Sequence, residues 1–358
     1  MNIFDLKDFD NHEQVVFCQD QNSGLKAIIA IHNTLLGPAL GGCRMYPYAS
    51  VDDALEDVLR LSKGMTYKAA VADLNLGGGK AVIIGDPKKH TSEALFRTFG
   101  RFIQGLGGRY ITAEDVGTNT RVMEWIRQET DFVTGIPEYF GGSGDPSPFT
   151  AHGVFCGIKA AWKKVTGKDS LTGARIAVQG IGSVGYNLCK ELHHAGAILY
   201  INDINKDALQ KAASEFNATI VEEKDLYSME VDIYSPCALG ATINDKTIPH
   251  LKCSIIAGAA NNQLALETKH CDDIQKAGIL YAPDYVINAG GLINVSSEVY
   301  GGGENYAMNK IENIYNTLLH IFHLADKEKI STALAANKIA EQRMQAIFTT
   351  KKILLHEE

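Results

Sequence analysis

Long apolar runs are missing from this chain of 358 residues. Nothing approaches the ~18 consecutive apolar residues of a membrane-crossing helix, so no membrane span is expected. Basic clusters are missing too. Lys and Arg number 34 against 42 Asp and Glu, the signs are interspersed, and the net charge is −8. That distribution offers no footprint for nucleic acid or an anionic membrane surface, which leaves small molecules as the expected partners. The seven cysteines are odd in number, scattered and never spaced as CxxC, an argument against a disulfide framework and against a zinc site. The histidines contain no HExxH, and the adjacent pair His193-His194 would point apart on a helix, so no metal is expected. The opening MNIFDLKDFD lacks the basic segment and apolar run of a secretory signal, and a cytoplasmic location is the expectation.

What is present is a 45% hydrophobic chain long enough for two domains. GGSGDPSPF at residues 141–149 concentrates Gly and Pro, reads as neither a regular helix nor a central strand, and marks the expected division. Residues 1–149 then form an N-terminal α/β domain, 150–330 a second domain, and 331–358 a helical segment that packs back on the body. In the first part, Ser50 resembles a helix cap, with Leu55, Val58 and Leu59 at helical spacing towards Ala72. A helix from Thr91 carries Leu95, Phe99, Phe102 and Leu106, and Lys80–Ile84 reads as a buried strand. In the second, strands at 175–179 and 198–202 alternate with helices at 183–195 and 206–216. Further apolar runs follow near 232–235, 254–257 and 279–281. Such alternation predicts a parallel, doubly wound sheet of Rossmann type. Two amphipathic helices, 311–324 and 332–347, close the chain.

Gly180-Ile181-Gly182-Ser183-Val184-Gly185 matches GxGxxG, with a β run entering and a helical pattern leaving. Asp203 follows at the end of the next strand, where a carboxylate bonds a ribose 2′-hydroxyl and repels a 2′-phosphate. NAD is therefore favoured over NADP. The plainer reading, a tight turn and a helix cap, explains each residue singly but not all of them together.

Lys68 and Lys80 stand on either side of LNLGGG, which reads as a glycine-rich turn, and the three glycines before Lys80 imply close approach to the backbone. A phosphate loop is excluded, because GxxxxGK[ST] needs Gly at Leu74 and Ser or Thr at Ala81. Ile111-Thr-Ala-Glu114-Asp115-Val-Gly117 puts two carboxylates between a strand and a turn, as candidates for catalysis or for capping.

Several longer blocks carry a resemblance: LGPALGGCRM (36–45), KGMTYKAAVADLNLGGGKAVI (63–83), GRYITAEDVG (108–117), DFVTGI (131–136), CALGATIND (237–245), IAGAANNQL (256–264) and APDYVINAGG (282–291). Over nearly its whole length the chain resembles the Glu/Leu/Phe/Val amino-acid dehydrogenase family. The resemblance implies NAD-dependent oxidative deamination of an amino acid to a 2-oxo acid, with ammonia as the other product, in a homo-octamer. It implies that Lys68 binds the α-carboxylate, Asn261 joins the carboxylate or carboxamide contacts, Lys80 is the general base, Asp115 passes protons to and from the amino nitrogen, and Thr150 positions the nicotinamide. A lysine acts as a base only after losing its proton, which a second cation such as Lys68 and partial desolvation favour.

The implied side-chain pocket is Leu40, Gly41, Met65, Ala113, Thr134, Leu292 and Val295, none of them ionised. A glutamate side chain finds no partner there, and burying it unpaired would cost several kcal/mol. Ala113 resembles the branched-chain branch of the family, whereas Leu292 resembles the phenylalanine branch. Branched-chain substrates are expected, with phenylalanine dehydrogenation as the alternative. An inactive NAD-binding regulator would keep the glycines and Asp203 but has no use for Lys68, Lys80 and Asp115.

Overall fold

The computed structural model describes residues 3–238 and 240–353. They divide into two compact units that are discontinuous in sequence. The first takes the described residues up to Asp145, then Asn294–Glu304 and those from Ala340 on; the second takes Pro146–Ile293 and Asn305–Ile339. The break after Asp145 falls within the Gly/Pro-rich segment.

The first unit is built on five strands, β1 (Gln14–Asp20), β2 (Leu25–Asn33), β3 (Ala39–Tyr46), β4 (Gly77–Ile84) and β5 (Tyr110–Glu114), in the order β1-β2-β4-β3-β5. β1 and β2 form an antiparallel hairpin, β2 and β4 pair antiparallel, and β4-β3-β5 run parallel. Parallel pairing of β3 with β4 needs a crossover, and the helix Val51–Val71 supplies it. Ser50 caps that helix, accepting from the Asp53 amide at 3.0 Å.

β2 shows why both faces of the sheet are covered. Ile28 and Ala30 pack with Leu55, Val58 and Leu59 of the crossover helix. Ile29 and Ile31 face the other way, into Phe96, Phe99, Met123 and Ile126 of the helices Glu93–Gln104 and Thr120–Arg127. The helix expected from Thr91 starts at Glu93 because Ser92 caps it, while Thr91 ends a separate short helix, Pro87–His90.

A larger correction concerns the three glycines. Gly77, Gly78 and Gly79 are the opening residues of β4 and not a turn before it. A Cβ at Gly77 would stand 2.0 Å from the Asn33 carbonyl oxygen, and one at Gly78 would stand 2.1 Å from the Thr66 amide nitrogen. The close approach that the glycines imply is made by the protein's own backbone.

The second unit holds β6 (Arg175–Gln179), β7 (Ile198–Asn202), β8 (Thr219–Ile220), β9 (Ile233–Pro236), β10 (Ile255–Ile256) and β11 (Leu280–Tyr281). Their order is β11-β10-β9-β6-β7-β8 and every pairing is parallel. Counted from β6, this is the 3-2-1-4-5-6 arrangement of dinucleotide-binding sheets, which reverses direction between β6 and β9. The helices Ser183–His194 and Lys206–Phe216 cross from β6 to β7 and from β7 to β8. The segment read as excluding helix in fact begins one. Ser147–Thr166 is helical, with Pro148 in the first turn, where a missing amide costs nothing.

The C-terminal part contains Gly303–Glu312, Ile314–Glu328 and Thr332–Ile353, three helices where two were expected. Among the described residues no helix is long and apolar enough to cross a membrane. Later segments complete the first unit through specific bonds. Glu298 accepts from the amides of Gly135 and Ser143 at 2.9 and 2.8 Å. Arg343 donates to the carbonyls of Ala70 and Leu74 at 3.2 and 2.7 Å and to Asn75 Oδ1 at 2.8 Å, holding the turn between the crossover helix and β4. Arg343→Ala leaves those carbonyls without this donor, at about 1–3 kcal/mol. The expected outcome is a urea unfolding midpoint lowered to match; an unchanged midpoint would show that the turn holds itself.

Candidate active site

In the second unit the Gly180–Gly185 segment lies at the carboxyl end of β6, beside the reversal of strand order. Gly180 has φ +100°, and a Cβ at Gly185 would lie 1.9 Å from the Gly180 carbonyl oxygen. Only glycines let the helix start this close to the strand. That helix begins at Ser183 with Gly182 as its cap; among the described residues no side chain caps its first amides and nothing lies within 4 Å of a Cβ built on Gly182. Open backbone and unbonded amides at a helix N-terminus fit a pyrophosphate.

Asp203 follows β7 and is already engaged within the chain. Its Oδ2 accepts from the Ile181 amide at 2.5 Å and its Oδ1 from Asn205 at 2.7 Å. It therefore braces the glycine turn, and each oxygen keeps lone pairs for a ribose hydroxyl. The residues present fit NAD.

Thr150 stands in the helix Ser147–Thr166 with its hydroxyl donating to the Pro146 carbonyl at 3.0 Å. Gly290 and Gly291 pack against it, since Cβ atoms there would meet the Phe149 carbonyl oxygen at 2.1 Å and Thr150 Oγ1 at 2.7 Å. Asn261 is exposed, and its Oδ1 accepts at 2.7 Å from Asn288. Buried Asn288 also donates to the Ala259 carbonyl at 3.0 Å. Asn288 lies inside the APDYVINAGG block, so the sequence held the signal without assigning it a role.

The first unit holds the lysines. Lys68 is half-buried near the end of the crossover helix, and Lys80 is buried on β4. The near-contact of Thr66 with Gly78 ties the helix to β4 at positions that each precede a lysine by two. Lys80 Nζ forms an ion pair with Asp115, at the end of β5. The charge found against Lys80 is thus a carboxylate. Gly42 makes the approach possible, because a Cβ there would stand 2.3 Å from the Glu114 carbonyl oxygen and 2.9 Å from Asp115 Cβ.

Arg44 was given no role by sequence reasoning, although it lies inside the LGPALGGCRM block. Its Nε lies 3.3 Å from Asp115 and its Nη1 2.9 Å from Asp57, which also accepts from Tyr48 at 2.6 Å and Arg60 at 2.8 Å. Burial pushes the Asp115 carboxyl up, but the charges of Lys80 and Arg44 outweigh it and hold the group below the usual carboxylate range. Its neighbour Glu114 goes the other way: burial raises it, Thr120 opposes and Asp145 adds.

Of the lining candidates, Leu40 and Gly41 are on β3, Ala113 on β5 and Met65 on the crossover helix. Thr134 is joined to β5 through its amide, 2.9 Å from the Thr112 carbonyl. Val295 lies 4.0 Å from the place of a Cβ on Gly135. All six belong to the first unit. Leu292 is buried in the second.

Two family models match this chain: "Glu/Leu/Phe/Val dehydrogenase, dimerisation domain" over residues 12–132, and "Glutamate/Leucine/Phenylalanine/Valine dehydrogenase" over 141–205 and 198–351. The chain belongs to the Glu/Leu/Phe/Val dehydrogenase family. It is similar to leucine dehydrogenase of Bacillus cereus, 57% identical over 99% of this chain and 97% of that one. It is 52% identical to phenylalanine dehydrogenase of Lysinibacillus sphaericus over 94% and 89%. Among solved structures it resembles L-tryptophan dehydrogenase from Nostoc punctiforme, 48% identical over 94% and 97% with a TM-score of 0.83. As a member of the Glu/Leu/Phe/Val dehydrogenase family, it is an NAD-dependent amino-acid dehydrogenase.

The ion pair sets an acid limit. A carboxyl held low in the folded state stabilises it above the unfolded value of about 3.9 and loses that contribution as pH falls towards the folded value. Lys80→Met removes one opposing charge, so Asp115 protonates at higher pH and acid unfolding begins at higher pH than in the wild type. Stability measured across the acid range tests this; an unmoved acid limb would mean that Arg44 alone holds Asp115.

Proposed function

We propose that this chain catalyses the reversible oxidative deamination of branched-chain L-amino acids, leucine together with valine and isoleucine, to 2-oxo acids, ammonia and NADH. The observation that carries this reading is a buried lysine paired with a carboxylate, close to uncharged lining residues. In this reading the first unit is the substrate domain and the second the dinucleotide domain. Lys68 holds the α-carboxylate, and Asn261, fixed by Asn288, serves the carboxylate or carboxamide contacts. NAD, when bound, accepts the hydride from Cα. Water must then add to the resulting imine and ammonia must leave the carbinolamine. Lys80 takes the proton of that water and later returns it, while Asp115 serves the amino nitrogen. The ionised pair implies that Lys80 first gives up a proton. Asp115 is in place to receive it, and Arg44 keeps that carboxylate aimed when Lys80 moves.

Substrate choice follows from the lining. Leu40, Met65, Ala113, Thr134 and Val295 offer no charge to a glutamate side chain. Buried Leu292 favours a second reading, phenylalanine as substrate, and Ala113 favours the first. The family description of residues 12–132 as a dimerisation domain supports a homo-oligomer, which we take to be an octamer acting in the cytoplasm.

Initial rates of NADH formation across aliphatic and aromatic amino acids test the reading. Leucine, valine and isoleucine should all be used and phenylalanine hardly at all; a preference for phenylalanine would make Leu292 the deciding residue. Lys80→Ala should lower kcat by roughly 10²–10⁴-fold while NAD still binds. Retention of more than about a tenth of kcat would remove Lys80 from the role of base. Asp203→Ala should weaken NAD binding more than NADP binding, so that the preference relaxes. Equal loss with both would mean that Asp203 acts only through the Ile181 and Asn205 amides.

A further inference from the structure

The helix Ser147–Thr166 carries His152 and Cys156 four positions apart, which turns both side chains to one face. Glu191, on the helix Ser183–His194, meets that face. His152 Nδ1 lies 2.9 Å from Glu191 Oε2, and its Nε2 lies 3.7 Å from Cys156 Sγ. Carboxylate, imidazole and sulfur are thus connected through the two ring nitrogens, in the order of an orienting group, a base and a nucleophile. All three belong to the second unit, and none takes part in the site described above. A tie between the two helices needs only the His152–Glu191 bond; the sulfur on the far nitrogen adds little to it.

The other cysteines lack this arrangement. Burial pushes the thiols of Cys18 and Cys43 up to about 12 and that of Cys253 to about 11, and it raises those of Cys189, Cys237 and Cys271. Cys237 is the informative contrast. It is half-buried and so more exposed than Cys156, yet its sulfur meets the Ser235 hydroxyl at 3.5 Å, and a hydroxyl is no base. Among the described residues, Cys156 is the cysteine with a histidine nitrogen against its sulfur. Cys156 is 8% exposed, and the side chains of His152 and Glu191 are 23% and 27% exposed. The group is thus not sealed from solvent, and its imidazole and carboxylate are the more open members. The Cys156 sulfur first, and then the Glu191 carboxylate, push the His152 imidazolium up to about 10 despite partial burial.

We propose that Cys156 is a base-activated nucleophilic thiol, the site at which this protein reacts with hydrogen peroxide and with soft electrophiles. His152 Nε2 takes the thiol proton, and Glu191 stabilises the imidazolium. The thiolate sulfur attacks one peroxide oxygen, a sulfur–oxygen bond forms and the oxygen–oxygen bond breaks. Sulfur is oxidised to a sulfenic acid, peroxide is reduced, and the departing hydroxide takes the imidazolium proton to leave as water. With an alkylating agent the same thiolate displaces halide and no oxidation occurs.

The test uses the native full-length protein, treated with hydrogen peroxide in the presence of dimedone, or with iodoacetamide, and mapped by peptide mass spectrometry. Label should collect first on Cys156 in both experiments and vanish from that peptide in Cys156→Ser, a variant whose deamination rate stays at the wild-type level. His152→Gln should slow labelling by about 10-fold or more, and Glu191→Gln by a smaller factor, as the thiolate loses first its base and then the support of that base. Glu191→Gln keeps the shape of the side chain and carries the test where His152→Gln does not fold. Labelling led by Cys237, equal rates in wild type and both variants, or no labelling before denaturant is added would each overturn the proposal.

Discussion

A side chain at Gly78 would put its Cβ 2.1 Å from the Thr66 amide nitrogen, so helix and strand touch there backbone to backbone. Much of the first unit follows from this. The crossover helix can lie down on β4 only where β4 has no side chains, and that contact sets where Lys68 and Lys80 emerge from their elements. The same constraint acts beyond it. Gly42 lets β5 bring Asp115 against the strand that carries Arg44. In the second unit, Gly185 brings the helix Ser183–His194 onto the end of β6. The chemistry-bearing residues are thus aimed by absences of side chains nearby, and rigid elements with few rotameric choices hold them.

The charges form a chain of alternating sign: Lys80, Asp115, Arg44, Asp57, Arg60. Burying a carboxylate is costly unless the partners are well placed, and here each carboxylate in the chain meets two cations. Asp57 accepts from Tyr48 as well. The arrangement holds Asp115 below the usual carboxylate range despite its burial, with Lys80 on one side and Arg44 on the other.

Much of this was legible in the sequence because the signals were local. Arg175–Gln179, Ile198–Asn202 and Lys206–Phe216 were delimited by apolar period and turn residues, and Ser50 was recognisable as a cap from its place before a helical pattern. The glycine fingerprint and Asp203 were readable because strand, turn and helix occur in succession. What escaped was non-local. Nothing near Arg44 in the chain indicates that it meets Asp115, and nothing near Asn288 indicates Asn261. GGG was read as a turn because glycine punctuates turns far more often than it opens a buried strand, and only Asn33 and Thr66 reveal the reason. β8 spans two exposed residues and has too little apolar pattern to register. Pro148 misled for the opposite reason, since proline excludes helix interiors but suits a first turn.

Glu298 and Arg343 belong by sequence to the last fifth of the chain, yet their bonds close the first unit. Synthesis proceeds from the N-terminus, so the β1–β5 sheet emerges long before the groups that bond the Gly135–Ser143 segment and the turn ahead of β4. The first unit therefore waits, incomplete, while the whole of the second is made, and the second in turn waits for Ile339. Neither can mature as an independent domain during translation. A chain stopped short of Arg343 would leave Lys68 on its helix and Lys80 on β4 with the turn between them lacking its fastener, so the spacing of the two lysines is secured only by a late segment.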